Sequence, residues 1–296
     1  MSLTPFAMFT TPKAVYGHVY PLPTASEVGQ FYELDSYYTH GQSHFAGEGK
    51  RTFADRVREH MAWRLDGGQP LGPEFVHRWL KERPSRICDI GCGSGSFAEE
   101  LVHLGHELTG VEVDPRALSS ELGDQIRFFA GTAEQLPLDL EQGSYDAVIM
   151  SHVLEHCLDP SLALRNAYGL LRDGGVLFCE VPNCDARALV RRGFAWEMFD
   201  VPRHLHFFTK DSLRAFTEKA GLRVQQTTFA HYLRSFSNVW INTERELWSR
   251  GQRPGMCPEP MPARSSKWRA WCLLAETALA RPRYRYDSVC VVAQRS

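Results

Sequence analysis

Ile87-Cys88-Asp89-Ile90-Gly91-Cys92-Gly93-Ser94-Gly95-Ser96-Phe97 is the stretch whose reading decides the fold. A short apolar strand, Arg86–Ile90, carries Asp89 near its end, gives way to three glycines at alternate positions, and then to a helical pattern from Phe97. Glycine lets a backbone approach a ligand closely and tolerates positive φ. The helix after the loop offers free N–H groups at its start. A strand, a glycine loop and a helix in this order make a nucleotide-cofactor cradle. A dinucleotide fingerprint needs G-x-G-x-x-G, with a third glycine where Ser96 stands. The chain has G-x-G-x-G behind an acid instead. Pyrophosphate is ill served by a nearby carboxylate, whereas a cationic or amine-bearing ligand is well served by Asp89.

The pattern resembles motif I of class I S-adenosylmethionine-dependent methyltransferases. The downstream sequence fits that resemblance. Leu108–Glu112 reads as a second buried strand ending in an acid about 20 residues after the loop, the place for ribose-hydroxyl recognition. A third strand ends in Phe128–Glu134, a fourth is Tyr145–Met150, and Asp173-Gly174-Gly175 closes a helix and opens a fifth. Strands alternating with helices are the α/β signature. Over residues 83–230 the ordered set is similar to the large methyltransferase family that includes the ubiquinone-biosynthesis O-methyltransferases and many sugar and natural-product methyltransferases.

The resemblance implies an α/β fold: a Rossmann-like, seven-stranded, mostly parallel sheet with helices on both faces. It also implies S-adenosylmethionine as cofactor and S-adenosylhomocysteine as product. By position, Asp89, Gly91, Gly93 and Gly95 should cradle the methionine part and Glu112 should bind the ribose. Val113, Thr132 and Ala133 should border the adenine, and Ser151 and His152 should face the sulfonium. Two departures stand out. The family often has Asp where Thr132 sits, and Pro where Asp173 sits.

The chain has 296 residues, with 33 basic against 35 acidic side chains and no basic block, which disfavours a phosphate-seeking nucleic-acid binder. Its eight cysteines are scattered with no C-x-x-C pair, which points to reduced thiols. No secretory signal is visible, and the most apolar candidate span, Trp271–Ala280, is short and contains Glu276. The expectation is a soluble cytoplasmic protein acting on a small-molecule acceptor, with no nucleic acid and no membrane as partner.

Four segments divide the chain. Residues 1–82 form an N-terminal arm and lid helices; 83–231 are the cofactor-binding core; 232–284 are a helical cap insertion; 285–296 hold the last core strand and tail. The first 35 residues are rich in Pro, Thr and aromatics and predict an irregular or weakly helical arm. Tyr37-Tyr38-Thr39-His40 with a helix over Arg51–Leu65 resembles a lid segment folding over the cofactor, which puts Tyr38 among the cofactor residues; docking of the arm on the core is the other reading. The cap, with helices over Leu233–Arg250 and Ser265–Ala280, is inserted before a last strand at Ser288–Val292. With the Asn183–Thr209 segment it should converge on the carboxyl edge of the sheet, where ligands bind. The insertion also suits a homodimer interface.

Methyl transfer from a sulfonium asks the protein to position an acceptor and, for a hydroxyl, to remove its proton. Histidine suits that task. His156, His204 and His206 are the catalytic candidates. His204 and His206 flank Leu205 in strand register and are expected to point the same way. If Ser151–Cys157 begins a helix, His152, Glu155 and His156 share a face. H-x-x-E-H is formally an inverted zincin motif, but Asp159-Pro160 cuts the segment too short for the protease helix. In some relatives an E-x-x-E-H here holds a divalent ion. His152 at the first position makes a softer site, so no residue is assigned to a metal, and metal-assisted methylation of vicinal hydroxyls stays as an alternative. N-methylation and a non-catalytic cofactor-binding scaffold are the others. Phe194, Trp196, Phe199, Tyr232, Phe236, Trp240 and Trp248, with Arg191, Arg192, Arg203 and Arg234, suit either a planar polar acceptor or the cap's own core.

Overall fold

A computed structural model describes residues 7–11, 16–30, 51–80, 84–114, 125–250 and 263–296. Tyr38 lies outside the described residues. In place of the irregular arm expected from composition, β1 (Ala7–Thr11) and β2 (Tyr16–Tyr20) pair antiparallel, and a short α1 (Ala25–Gln30) comes after them. Then α2 (Phe53–Leu65) opens with a capping box: the Thr52 hydroxyl accepts from the Asp55 amide, and the Asp55 carboxylate accepts from the Thr52 amide. Phe75 and Val76 of α3 (Pro73–Trp79) cover one face of the main sheet.

The decisive stretch folds as read. β3 (Arg86–Ile90) leads through the glycine loop into α4 (Ser96–His103), and then into β4 (Glu107–Glu112) and β5 (Ile126–Ala130). Next come β6 (Tyr145–Ser151), α5 (Pro160–Leu170) and β7 (Leu171–Pro182). Asp159 caps α5 by accepting from the Leu162 amide at 3.0 Å, with Pro160 in the first turn where its missing N–H costs nothing. After β7 the chain forms α6 (Arg187–Arg192), two short 3₁₀ turns and β8 (His206–Phe207), then α7 (Lys210–Lys219) and β9 (Leu222–Ala230). The insertion supplies α8 (Asn238–Arg250), α9 (Ala263–Thr277) and α10 (Pro282–Arg285) before β10 (Ser288–Arg295).

The main sheet runs β5-β4-β3-β6-β7-β10-β9. Strands β3 to β7 pair in parallel, and β10 lies antiparallel between β7 and β9. This is the mostly parallel seven-stranded arrangement expected. Its middle strands are buried on both faces, which is why they read as near-continuous apolar runs. One core packs α5 and α7 against one face, including Leu164, Leu170, Leu177 and Val291. The other packs α3 and α4 against the opposite face, including Val76, Leu101, Ile149 and Phe178.

A third core lies at the carboxyl edge and joins α2, α6, α9 and the turns around Trp196 and Phe236. Trp196, Tyr232 and Phe236 are fully buried in it, so these cap aromatics serve packing. Arg58 of α2 ties the cap down: it donates to the Phe236 carbonyl, to Asn238 and to Asp55, and Lys267 of α9 meets Asp55 at 2.6 Å. The short β8 pairs with β2, Gly17 facing Phe207 and His18 facing His206. That distant partner joins the arm's hairpin to the chain after β7. Every described cysteine is a free thiol. Among the described residues no helix is long and apolar enough to cross a membrane.

Candidate active site

Gly91, Gly93 and Gly95 have φ of +72°, +53° and +80°, so the loop turns where only glycine is at ease. A Cβ on Gly91 would fall 2.4 Å from Val153 Cγ2, which fixes how closely the loop passes the end of β6. The Glu112 carboxylate staples the loop to β4: one oxygen accepts from the Gly93 amide at 2.8 Å, the other from the Val113 amide at 2.8 Å. The cavity this leaves has a volume of about 320 Å³ and is lined by Asp89, Gly91, Gly93, Ser94, Phe97 and Ser151.

Asp89 is 3% exposed. Burial, reinforced by the charge of Glu112, pushes its carboxyl up to about 7. A buried carboxyl facing a cavity suits a positively charged ligand. Just beyond β5, the Thr132 hydroxyl accepts from the Gln135 amide at 3.0 Å, and buried Ala133 uses its carbonyl for Asn166. Val113 is largely exposed.

Beyond Ser151 the structure departs from the expected helix. His152 takes φ +53° and only Leu154–His156 makes a 3₁₀ turn, because Asp159-Pro160 starts the next helix at once. The trio His152, Glu155, His156 therefore does not share one face. His152 turns to the carboxylates: Nδ1 lies 3.1 Å from Glu155 and Nε2 3.3 Å from Glu180. His156 instead meets the Arg203 carbonyl through Nδ1 and the His204 ring edge-on at 4.6 Å.

His204 and His206 also part company. Nδ1 of His204 bonds to the Met198 carbonyl at 2.8 Å, while that of His206 bonds to the Tyr16 hydroxyl. Burial drives the pKa of all three remaining candidates down, to about 4 for His156 and His206 and in the same direction for His204. They are neutral imidazoles at neutral pH. His152 differs. Burial works against its protonation, but bonds to Glu155 and Glu180 outweigh that and hold it up at about 9.

Sequence reasoning missed two members of this group. Glu180 near the end of β7 is buried, and its Oε1 lies 3.0 Å from Nε2 of His231, which comes directly after β9 with φ +68°. Burial raises the Glu180 carboxyl, yet His152 and His231 together hold it well below the usual range. The available signal was a lone charge in the apolar run Val176–Val181. The four cap arginines are engaged internally: Arg191 with Glu276, Arg192 with Glu244, Arg203 with Asp200 and Arg234 with Asp287.

A doubly covered, mostly parallel sheet with a glycine-loop cavity at its carboxyl edge, floored by an acid, is the architecture of the nucleotide-cofactor-binding α/β proteins. The methyltransferase-domain family matches residues 58–227. The chain is 30% identical over 202 residues to the ubiquinone biosynthesis O-methyltransferase of Xanthomonas axonopodis pv. citri (strain 306), covering 62% of this chain and 82% of that protein. A protein of the same name from Cereibacter sphaeroides (strain ATCC 17029 / ATH 2.4.9) is 33% identical over 149 residues, covering 46% and 60%. Among solved structures, the chain resembles the 1,6-didemethyltoxoflavin-N1-methyltransferase of Burkholderia thailandensis, with bound 1,6-didemethyltoxoflavin and S-adenosylhomocysteine. There the TM-score is 0.50 at 16% identity, covering 97% of this chain and 98% of that one, a likeness of fold. The chain belongs to the methyltransferase-domain family and is a class I S-adenosylmethionine-dependent methyltransferase.

Proposed function

We propose that the protein methylates a hydroxyl oxygen of a small-molecule acceptor. The observation that carries this reading is the His152–Glu180–His231 cluster, set one residue beyond Ser151 of the cofactor cavity. A hydroxyl must lose its proton to become a good nucleophile, and a buried carboxylate between two imidazoles is built to manage a proton or the charge it leaves. The names of the relatives, O-methyltransferases, support the same choice.

In this reading Asp89, Gly91, Gly93 and Gly95 hold the methionine part of the cofactor, Asp89 opposing its positive charge. Glu112 takes the ribose hydroxyls, and Val113, Thr132 and Ala133 border the adenine. Ser151 and His152 face the sulfonium, which supplies an electrophilic methyl when the cofactor is bound. The acceptor lies against His152 and His231. The role expected for His156, His204 and His206 passes to that pair, because the Nδ1 atoms of those three are engaged by the Arg203 carbonyl, the Met198 carbonyl and the Tyr16 hydroxyl. They instead hold the Arg203–Phe208 segment to the loop after β6 and to β2.

The test is product analysis. The protein is incubated with labelled S-adenosylmethionine and a small-molecule extract, then with phenols, catechols, alcohols and amines matched to the hits. A methyl ether is the expected product. Exclusive transfer to nitrogen, carbon or macromolecules would refute the reading.

A further inference from the structure

His152, Glu180 and His231 come from three separate elements, yet their ligand-capable atoms all lie within 4.8 Å of one another. Glu180 Oε1 stands 3.3 Å from Nε2 of His152 and 3.0 Å from Nε2 of His231. Tetrahedral coordination at about 2.0–2.1 Å places neighbouring ligand atoms roughly 3.3 Å apart. The two donor separations that involve Glu180 thus already lie close to a tetrahedral edge.

A second observation is independent of that spacing. Metal-binding histidines characteristically turn their other nitrogen to a carboxylate, which fixes the ring. Nδ1 of His152 does this with Glu155, whose side chain is fully buried. Glu180 is likewise held from behind, its Oε2 accepting from the Leu71 amide at 3.1 Å. The front of the cluster is open, the side chains of His152 and His231 being 29% and 35% exposed. The second candidate group, Glu155 with His156 and His204, is more enclosed, only His156 being partly exposed, and its histidines are tied to carbonyls.

We propose that His152, Glu180 and His231 bind one divalent transition-metal ion, zinc by ligand chemistry, with its open position facing the acceptor. Two imidazoles and one carboxylate suit zinc and its neighbours; magnesium prefers oxygen donors alone. Glu155 acts from behind His152 and not as a ligand. The proposal rests on the hydroxyl-methylation reading for its purpose: the ion makes the acceptor hydroxyl more acidic. In the transfer the oxygen–methyl bond forms, the methyl–sulfur bond breaks with its electron pair left on sulfur, and the hydroxyl proton goes to solvent.

The test uses the full chain stripped with chelator and titrated with cobalt(II), monitored by its visible absorption, and with zinc by calorimetry. One ion per chain with a tetrahedral cobalt spectrum free of thiolate charge transfer is expected. His231→Gln and Glu180→Gln should abolish that spectrum. Glu155→Gln should weaken binding by about 10–100-fold. S-adenosylhomocysteine affinity, measured in parallel, should stay within a few-fold and report that each variant is folded. Absence of a stoichiometric cobalt site in protein that still binds S-adenosylhomocysteine would overturn the proposal, as would an unchanged spectrum in the variants. A transferred methyl found on nitrogen, with the cobalt site intact, would instead overturn the hydroxyl reading alone.

Discussion

Lowering the pH from 8 to 6 should weaken cofactor binding about tenfold, through one carboxyl. Asp89 is buried beside the glycine loop with its pKa raised to about 7. It is then about nine-tenths ionised at pH 8 and about one-tenth ionised at pH 6, a free-energy difference of ~1.4 kcal/mol if only the carboxylate accepts the cationic ligand. Linkage sets the sign. A bound positive charge favours the ionised form, so binding expels a proton and strengthens as pH rises through 7. Stability of the ligand-free protein moves oppositely. The unfolded state ionises Asp89 near pH 4 and the folded state near 7, so this group's contribution to stability falls as pH rises across that window. Calorimetric titration with S-adenosylhomocysteine at pH 6, 7 and 8, in buffers of different ionisation enthalpy, measures both affinity and proton release. Asp89→Asn should bind more weakly at pH 8 and lose the slope. The ligand's own ammonium titrates equally with both proteins and cancels. A flat profile in the wild type, or the same slope in the variant, would refute the assignment.

The same geometry sets other expectations. Glu112→Ala should cost about 1–3 kcal/mol of S-adenosylhomocysteine affinity, the scale of lost charge-assisted bonds; unchanged affinity by calorimetry would sink the ribose role. Gly91→Ala should lower the thermal midpoint, because φ +72° costs an alanine about 1–2 kcal/mol before the contact with Val153 is counted. Adding Val153→Ala should recover only part of the loss, and complete recovery would show that the backbone carries no strain. Arg58→Met should destabilise the fold by about 3–5 kcal/mol in urea unfolding, since it removes the buried cation paired with Asp55 and leaves that carboxylate to Lys267 and to its bonds from Thr52. A loss below about 1 kcal/mol would mean that α2 does not hold the cap, such exposed-pair values being small.

The glycine-loop cavity was legible because its parts are neighbours in the chain. Asp89, the three glycines and Ser96 occupy one strand–loop–helix unit, and Glu112 sits at the end of the next strand. The His152–Glu180–His231 cluster was not. Glu180 meets His152 and His231 only through the register that sets β6 beside β7 and β9 two places along. The expected helix at Ser151–Cys157 failed for a local reason, the left-handed turn at His152 and, just beyond it, the cap of α5. The arm misled because β2 is a strand by pairing with β1 and, far along the chain, with the two-residue β8, and its Pro- and Thr-rich surroundings hide that pairing. The cap aromatics and arginines show a further limit: the same side chains that recognise a planar acid also build a core, and here Trp196 and Tyr232 are buried while the arginines are spoken for by carboxylates.

The place of β10 bears on how the protein is made. Synthesis runs from β7 through β9 and the whole cap before Ser288 appears, yet β10 is the strand that fills the gap between those two. Until then β7 and β9 each present an unpaired edge of backbone donors and acceptors, the kind of surface that recruits other nascent chains. The sheet therefore closes late, after nearly every other element exists, and non-local closure of this type is slow. A chaperone that shields strand edges would serve this protein most in the interval between completion of the cap and arrival of Val289–Ala293.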